Sequence, residues 1–387
     1  MTDSLSAVGF STPEMDEIFS PPSVVEHMLA FESALVLALA DVGLAPSDAA
    51  EAIDEACRLP LTEADAILAS TWSAGTPVIA LIDAVKQRLS QEEHLSWVHY
   101  GATSQDVIDT AHMLLAKRAI AAMVGSLGVL AQRLRQLVEE HRDQPQIGRT
   151  FLQHASSTTF GMRAASWLAP LMEHIVELRT LADSLPVSMG GPVGNLASYG
   201  PKGIEVVGSV ARRLGLSTPV ISWHTDRSVI RRLSTTVDTA VATLEKIATD
   251  VSFLAASDIG ELSVRPGGSS SMSGKRNPID AIRVLASATI CHGAVEMITR
   301  ARPHELDRGL GSWHVEWAAI PMMFRTAGAA VEAATTMFDA LEVNVETMAD
   351  RVGSEGTRHL GGIDARQIDG VLSRFDEVLG SGSAAAG

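Results

Sequence analysis

The residues best suited to chemistry lie in three polar, glycine-containing stretches. One is Pro266-Gly267-Gly268-Ser269-Ser270-Ser271-Met272-Ser273-Gly274-Lys275-Arg276-Asn277-Pro278, which sets three glycines and four serines ahead of or around two cations. Such a loop can close over a ligand, turn backbone N–H groups toward an anion and hold a hydroxyl beside it. A solvated interhelical linker has the same composition. The second stretch, Gly148 to Thr159, carries Arg149, Thr150, Gln153 and His154, and the third, His99 to Asp106, carries His99, Thr103, Ser104 and Gln105. The hydroxyl pairs Thr103-Ser104 and Ser157-Thr158 read either as helix N-caps or as carboxylate seats at helix N-termini. His154 alone reads equally as a structural histidine, and Lys275-Arg276 alone as a solvated pair. Three such loops on one scaffold point to an anion-handling site.

Other chemistries fail on pattern. Gly268 to Lys275 approximates a phosphate-binding P-loop, but the glycine spacing is one residue too long. Arg276 also stands where Ser or Thr is required, and a helical pattern rather than a strand precedes the loop. No His-x-x-x-His or His-Glu-x-x-His surrounds His304 or His314, so no metal is expected. A Gly-x-Ser-x-Gly nucleophile elbow is missing. The net charge of −16 supplies no cation excess for nucleic acid, although local arginines and histidines can still favour a small anion. Cys57 and Cys291 lie far apart and form neither a disulfide framework nor a metal motif, which suits a reducing cytoplasm. The residues after Met1 show no secretory pattern, and no apolar run is expected to reach the ~18 residues of a bilayer span. A soluble, cytoplasmic protein with no membrane contact is expected.

The elements that must position these loops are helical. Aromatic content is only 4%, and alanine, leucine and valine dominate. After Pro21-Pro22 a helix is predicted from Ser23 to about Val42, with Met28, Phe31, Leu35 and Leu39 on one face. Others cover Ser47 to Arg58, start near Thr62, and run, after a break at Gly75-Thr76-Pro77, through Leu89. Five long stripes follow, at about 105–140, 158–183, 228–256, 278–299 and 313–341, with a loop at 145–157. The third repeats Ile230, Leu233, Val237, Val241, Leu244, Ile247, Val251 and Leu254 at near-heptad spacing. Helices well above the usual ~11–12 residues need neighbours, which implies a bundle that multiplies into an oligomer. The expected division is a helical N-terminal domain at 1–104, the bundle at 105–343, and an abbreviated C-terminal domain at 344–387 with a disordered tail.

With the three loops in order, the sequence resembles the fumarase/aspartase superfamily. Its Gly-Ser-Ser-x-Met-Pro-x-Lys-x-Asn-Pro hallmark is matched by Gly268 to Pro278 except at Ser273. Within it, the chain is most similar to the 3-carboxy-cis,cis-muconate cycloisomerases. The stretches Val98–Asp106, Gly148–Ala155, Trp223-His224-Thr225-Asp226-Arg227 and Glu305–Trp317 carry that likeness. Phe151 stands where other superfamily branches carry histidine, and Ile282 where they carry a glutamate.

The resemblance implies an all-α fold: a central bundle of five long helices between small helical terminal domains, four bundles forming a twenty-helix core in a homotetramer. Each active site would draw loops from three subunits. It implies interconversion of 3-carboxy-cis,cis-muconate and carboxymuconolactone in protocatechuate (β-ketoadipate) catabolism. One carboxylate adds across a double bond, and the reverse is a β-elimination through an aci-carboxylate intermediate. By resemblance Ser269 and His154 are catalytic. Lys275, Asn277, His99, Thr103, Ser104, Gln105, Arg149, Thr150 and Gln153 bind the small polycarboxylate, and His224 and Arg227 contribute from another subunit. No cofactor is implied. Ser273-Gly274 in place of Pro-x loosens the loop. A sister lyase acting on another substituted succinate, or a silent oligomeric scaffold, stays open as an alternative.

Overall fold

A computed structural model of the chain describes residues 9–59, 62–267, 275–356 and 363–380. It opens with α1 (Pro13–Ile18), α2 (Pro21–Asp41), α3 (Ser47–Arg58), α4 (Ala64–Ala69), α5 (Thr71–Ala74) and α6 (Val78–Lys86). The five long helices are α7 (Ser104–Glu140), α8 (Phe160–Ser184), α10 (Ser228–Leu254), α11 (Ile279–Arg300) and α12 (Ser312–Asp339), with α9 (Gly203–Leu214) beside α2. α13 (Val345–Gly356) and α14 (Ile363–Leu379) close the described chain.

The stripes became the core. Ile230, Leu233, Val237, Val241, Leu244, Ile247, Val251 and Leu254 are all buried on α10, and each such side chain contributes about 1.5–3 kcal/mol by leaving water. One continuous hydrophobic cluster runs from Met15 to Val378. Its C-terminal part falls in the 344–387 segment, where an abbreviated domain was expected. α14 packs Ile368, Phe375 and Val378 onto the bundle and ties itself down through Arg142–Asp369 (2.6 Å) and Arg374–Glu173 (2.8 Å). The tail at 381–387 lies outside the described residues.

Two expectations need correction. The 145–157 loop is an antiparallel hairpin, β1 (Pro145–Thr150) with β2 (Gln153–Thr159), and carries an irregularity between Ile147 and Arg149. Its polar alternation lacks the apolar face that marks a half-buried strand. Three helices, α2, α7 and α11, are also long and apolar enough to cross a membrane by length and composition, with mean hydropathies of 1.5, 1.6 and 1.3. Scattered uncharged polar residues such as Ser287 and Thr289 of α11 interrupt the run, yet its window still averages 1.3. Of these windows 61%, 44% and 44% are buried inside the protomer, so bundle packing already uses much of their apolarity.

Small strand pairs tie the remaining loops. β3 (Leu262–Ser263) pairs with β6 (Glu342–Val343), and β4 (Pro266–Gly267) with β5 (Asn277–Pro278). The long helices alternate in direction, and this sorts the loops to two ends. His99–Asp106, the 186–195 segment, the 223–227 segment and the 301–312 connection gather where α7 begins. The hairpin, the 255–267 and 275–278 segments and β6 gather where it ends. At 1.5 Å per residue the 37 residues of α7 separate these ends by about 55 Å.

Candidate active site

At the cap end Asp106 organises the backbone. Thr103 is the N-cap of α7, and its N–H donates to Asp106 Oδ2 at 3.0 Å. Gly190 N–H donates to Oδ1 at 2.8 Å and Gly191 N–H to Oδ2 at 3.0 Å, while His224 Nε2 stands 2.6 Å from Oδ1. Gly191 is required here: its φ is +72°, and a Cβ would lie 2.7 Å from the Gly101 carbonyl oxygen. Ser104 is half-buried in the first turn of α7, where helix N–H groups favour an anion.

His99 stands just ahead of that helix in the left-handed region, φ 59°, which is uncommon for a residue with a Cβ. Its Nδ1 is 2.6 Å from Oε1 of Glu32, whose side chain is 1% exposed. Burial works against the imidazolium, but Glu32, with Asp106 behind it, outweighs burial and raises the His99 pKa.

Gln105, His224 and Arg227 make their contacts inward, within the protomer. Gln105 is fully buried, and its Nε2 donates to Asp109 Oδ2 and to the His224 carbonyl. His224 is 3% exposed and holds Asp106 of the same chain. Arg227 donates to Asp109 at 2.7 and 3.1 Å and to Glu316 at 3.0 Å, and stacks over Trp223. Trp313 Nε1 donates to Asp109 as well, at 2.9 Å. Burial opposes the Asp109 charge, yet the Arg227 guanidinium pulls its pKa down. Glu316 goes the other way: burial, helped by Asp109, pushes it up to about 7 against the pull of Arg227.

The hairpin end presents the opposite picture. Arg149 is spent on the fully buried Glu261, which also accepts from Gln146 (2.8 Å) and pairs with Arg351 (3.6 Å). Arg149 is therefore an anchor of the hairpin, because its guanidinium is already neutralised. Beyond that anchor Thr150, Gln153 and His154 are all exposed. The two turn residues between the strands, Phe151 and Leu152, both have positive φ and are 98% and 67% exposed. Thr159, rather than Ser157 or Thr158, caps α8 through its hydroxyl, which accepts from Met162 N–H at 3.0 Å. Lys275 is exposed, and Asn277 pairs with Gly267 in β5. Ser269 lies outside the described residues.

Within one protomer the structure thus joins His99, Thr103 and Ser104 at one end. Thr150, Gln153, His154, Lys275 and Asn277 lie at the other. Sequence reasoning missed Glu32, Asp109, Glu316 and the Gly190-Gly191 pair. Glu32 was detectable as a carboxylate on the apolar face of α2, four residues after Met28 and three before Leu35. The glycine pair was detectable as a break before Pro192.

A long antiparallel helix bundle with polar loops gathered at its two ends is the architecture of a class of lyases. The family model described as "Lyase" matches residues 7–290, and the chain belongs to that family, within the fumarase/aspartase superfamily. It is 35% identical over 351 residues to the 3-carboxy-cis,cis-muconate cycloisomerase of Pseudomonas aeruginosa, covering 89% of this chain and 76% of that one. It is 32% identical over 396 residues to the nitrosuccinate lyase of Streptomyces davaonensis, covering 99% and 82%. Among solved structures, the 3-carboxy-cis,cis-muconate lactonizing enzyme of Pseudomonas putida superposes with a TM-score of 0.83 at 31% identity, covering 98% and 88%. The chain is a cycloisomerase-like enzyme of the lyase superfamily.

Proposed function

We propose that this enzyme interconverts 3-carboxy-cis,cis-muconate and carboxymuconolactone. The observation that carries the reading is the division of its anion-handling groups: a cationic, N-capped seat at one end of the bundle and an outward His154, Thr150, Gln153 and Lys275 set at the other. A substrate with three carboxylates can engage both sets once copies of the chain bring opposite ends together. The site is then composite, in a homotetramer whose bundles form a twenty-helix core. Apolar helix windows only 44% buried in the protomer support such association.

In the lactone-forming direction a carboxylate oxygen of the substrate attacks one carbon of a double bond. The π pair moves onto the other carbon and into the carboxylate it carries, giving an aci-carboxylate, and that second carbon is then protonated. Charge develops on the carboxylate, so N–H groups and cations aimed there lower the barrier. Ser269 and His154 handle the proton, and a serine can serve only where Lys275 and backbone donors hold its alkoxide. His99, Thr103 and Ser104 seat a second carboxylate, while Asn277 and Lys275 orient a third. Gln105, Arg149, His224 and Arg227 keep those groups in position. Residues 1–104, 105–343 and 344–387 act as terminal, central and terminal domains in this scheme. A cytoplasmic place in aromatic catabolism suits the buried free thiols Cys57 and Cys291.

A spectrophotometric assay with 3-carboxy-cis,cis-muconate tests the proposal, and turnover lost in Ser269→Ala is the expected result. A second reading, elimination from a different substituted succinate, is favoured by the nitrosuccinate lyase match along nearly the whole chain. No muconate turnover together with elimination from a substituted succinate would replace the first reading with the second. Turnover of neither would leave a silent oligomer.

A further inference from the structure

We propose that Glu32 is a positioning residue of the active site, which holds His99 as a cation with its Nε2–H turned over to a substrate carboxylate at the N-terminus of α7. This deepens the polycarboxylate reading above and rests on it. Glu32 comes from α2, in the N-terminal part of the chain, 67 residues from its partner.

Three independent features carry the inference. First, the carboxylate is almost completely buried among the apolar residues of α2, and among the described residues its hydrogen-bond partner is His99. An ionised carboxylate in such surroundings is costly unless a cation neutralises it. The 2.6 Å contact to Nδ1 supplies that neutralisation as a charge-assisted bond. Second, a bond at Nδ1 commits that nitrogen as a donor and leaves Nε2 as the ring's second donor. No described residue takes up Nε2. Third, the His99 backbone is kept in the left-handed region, φ 59°, four residues before the Thr103 N-cap of α7. Strain of this kind persists where surroundings over-determine it, and it clusters at ligand clamps.

The charged groups facing His99 come from each neighbouring element. Glu32 on α2 and Asp106 on α7 favour the imidazolium, and Lys86 at the end of α6 opposes it. Asp106 is already committed to Thr103, Gly190, Gly191 and His224. Glu32 is therefore the carboxylate that sets the histidine's charge. The consequence for pH is directional. A cationic His99 binds an anion until pH rises through its elevated pKa, so affinity falls on the alkaline side.

The test compares wild type, Glu32→Gln, His99→Gln and the double variant by two readouts. One is an NMR titration of the His99 ring with 15N-labelled protein, which needs no substrate. The other is calorimetric binding of tricarballylate, an unreactive tricarboxylate, across pH. In Glu32→Gln the His99 midpoint should fall by at least about one unit, equivalent to about threefold in tricarballylate affinity halfway between the two midpoints and approaching about tenfold at pH above both. The alkaline loss of affinity should move down with it. Loss in the double variant should match His99→Gln alone rather than the sum of the two. An unmoved His99 midpoint, or additive losses, overturns the proposal, and a Glu32→Gln chain that fails to fold is replaced by Glu32→Asp under the same two criteria. Absence of muconate turnover by wild type, with the midpoint shift and the coupling intact, leaves Glu32 in its role and removes only the substrate assignment.

Discussion

At the cap end one guanidinium, Arg227, sits between two carboxylates, Asp109 and Glu316. At the hairpin end one carboxylate, Glu261, sits between two guanidiniums, Arg149 and Arg351. The two clusters are charge-reversed versions of one device, and they hold different things. The cap-end cluster locks the start of α10 to α7 and α12, behind a seat whose backbone donors already converge on Asp106. The hairpin-end cluster anchors the base of β1, and everything beyond it stands in solvent in an isolated protomer. One end is assembled within the chain; the other presents residues outward. A buried ion pair contributes little net stability, but removing one partner is severe, so both clusters fix geometry more than they add free energy.

The largest effect tests whether the two ends serve one site. His99→Asn and His154→Asn should each lower turnover by about 10²-fold or more, as loss of a charge-stabilising or proton-handling group does. Co-refolding the two inactive variants should restore activity, because some sites in a mixed oligomer inherit both intact ends. A mixture as inactive as its parts would break the comparison at its root.

Next comes stability. Arg227→Met strands Asp109 and should cost about 3–5 kcal/mol in urea unfolding. Glu261→Gln strands two guanidiniums, one of them partly exposed, and should cost less while still loosening the hairpin. Equal losses would mean that the two clusters are buried to the same effect.

A smaller effect is confined to one end and to one pH range. Glu316 has its pKa raised from 4.5 to about 7, so the folded chain holds that proton more tightly than the unfolded chain. Its contribution is fully present below about pH 4.5 and is lost as pH rises through about 7, amounting to about 3 kcal/mol. Glu316→Gln should flatten the stability profile between those values relative to wild type, whereas Glu261→Gln should leave that slope in place.

The smallest effect concerns the hairpin tip. Phe151 and Leu152 occupy consecutive left-handed positions that Asn-Gly fills with little strain. Replacing them with Phe151→Asn and Leu152→Gly should stabilise the hairpin by about 1–2 kcal/mol in unfolding. If the exposed tip docks on another copy, turnover should fall at the same time. A gain in stability with turnover unchanged would give the tip no part in the site.

Much of this was legible in advance. The five long helices fall within a few residues of their apolar stripes, and Thr103 caps α7 as its type and position suggested. The hairpin was missed because Thr150-Phe151-Leu152-Gln153 contains none of the usual turn residues and its strands lack an apolar face. Arg149 and Arg227 looked like anion ligands because arginine carries the same charge wherever it stands. Whether that charge meets a substrate or a buried Glu261 or Asp109 depends on residues 112 and 118 positions away.

Helix and stripe are short-range properties: a period near 3.6 with alanine and leucine in place is enough to specify α10 or α12, and the sequence by itself determined them. The family likeness came the same way, from ordered loops with matching residues. What only the tertiary structure decided is where each loop stands and which charges are consumed. The reversing path of the long helices sends His99 and His154 to ends about 55 Å apart. Packing α2 against α7 turns Glu32 from a blemish in an apolar stripe into the partner of His99. Both outcomes depend on contacts between residues remote in the chain, and no local pattern encodes which carboxylate will meet which cation.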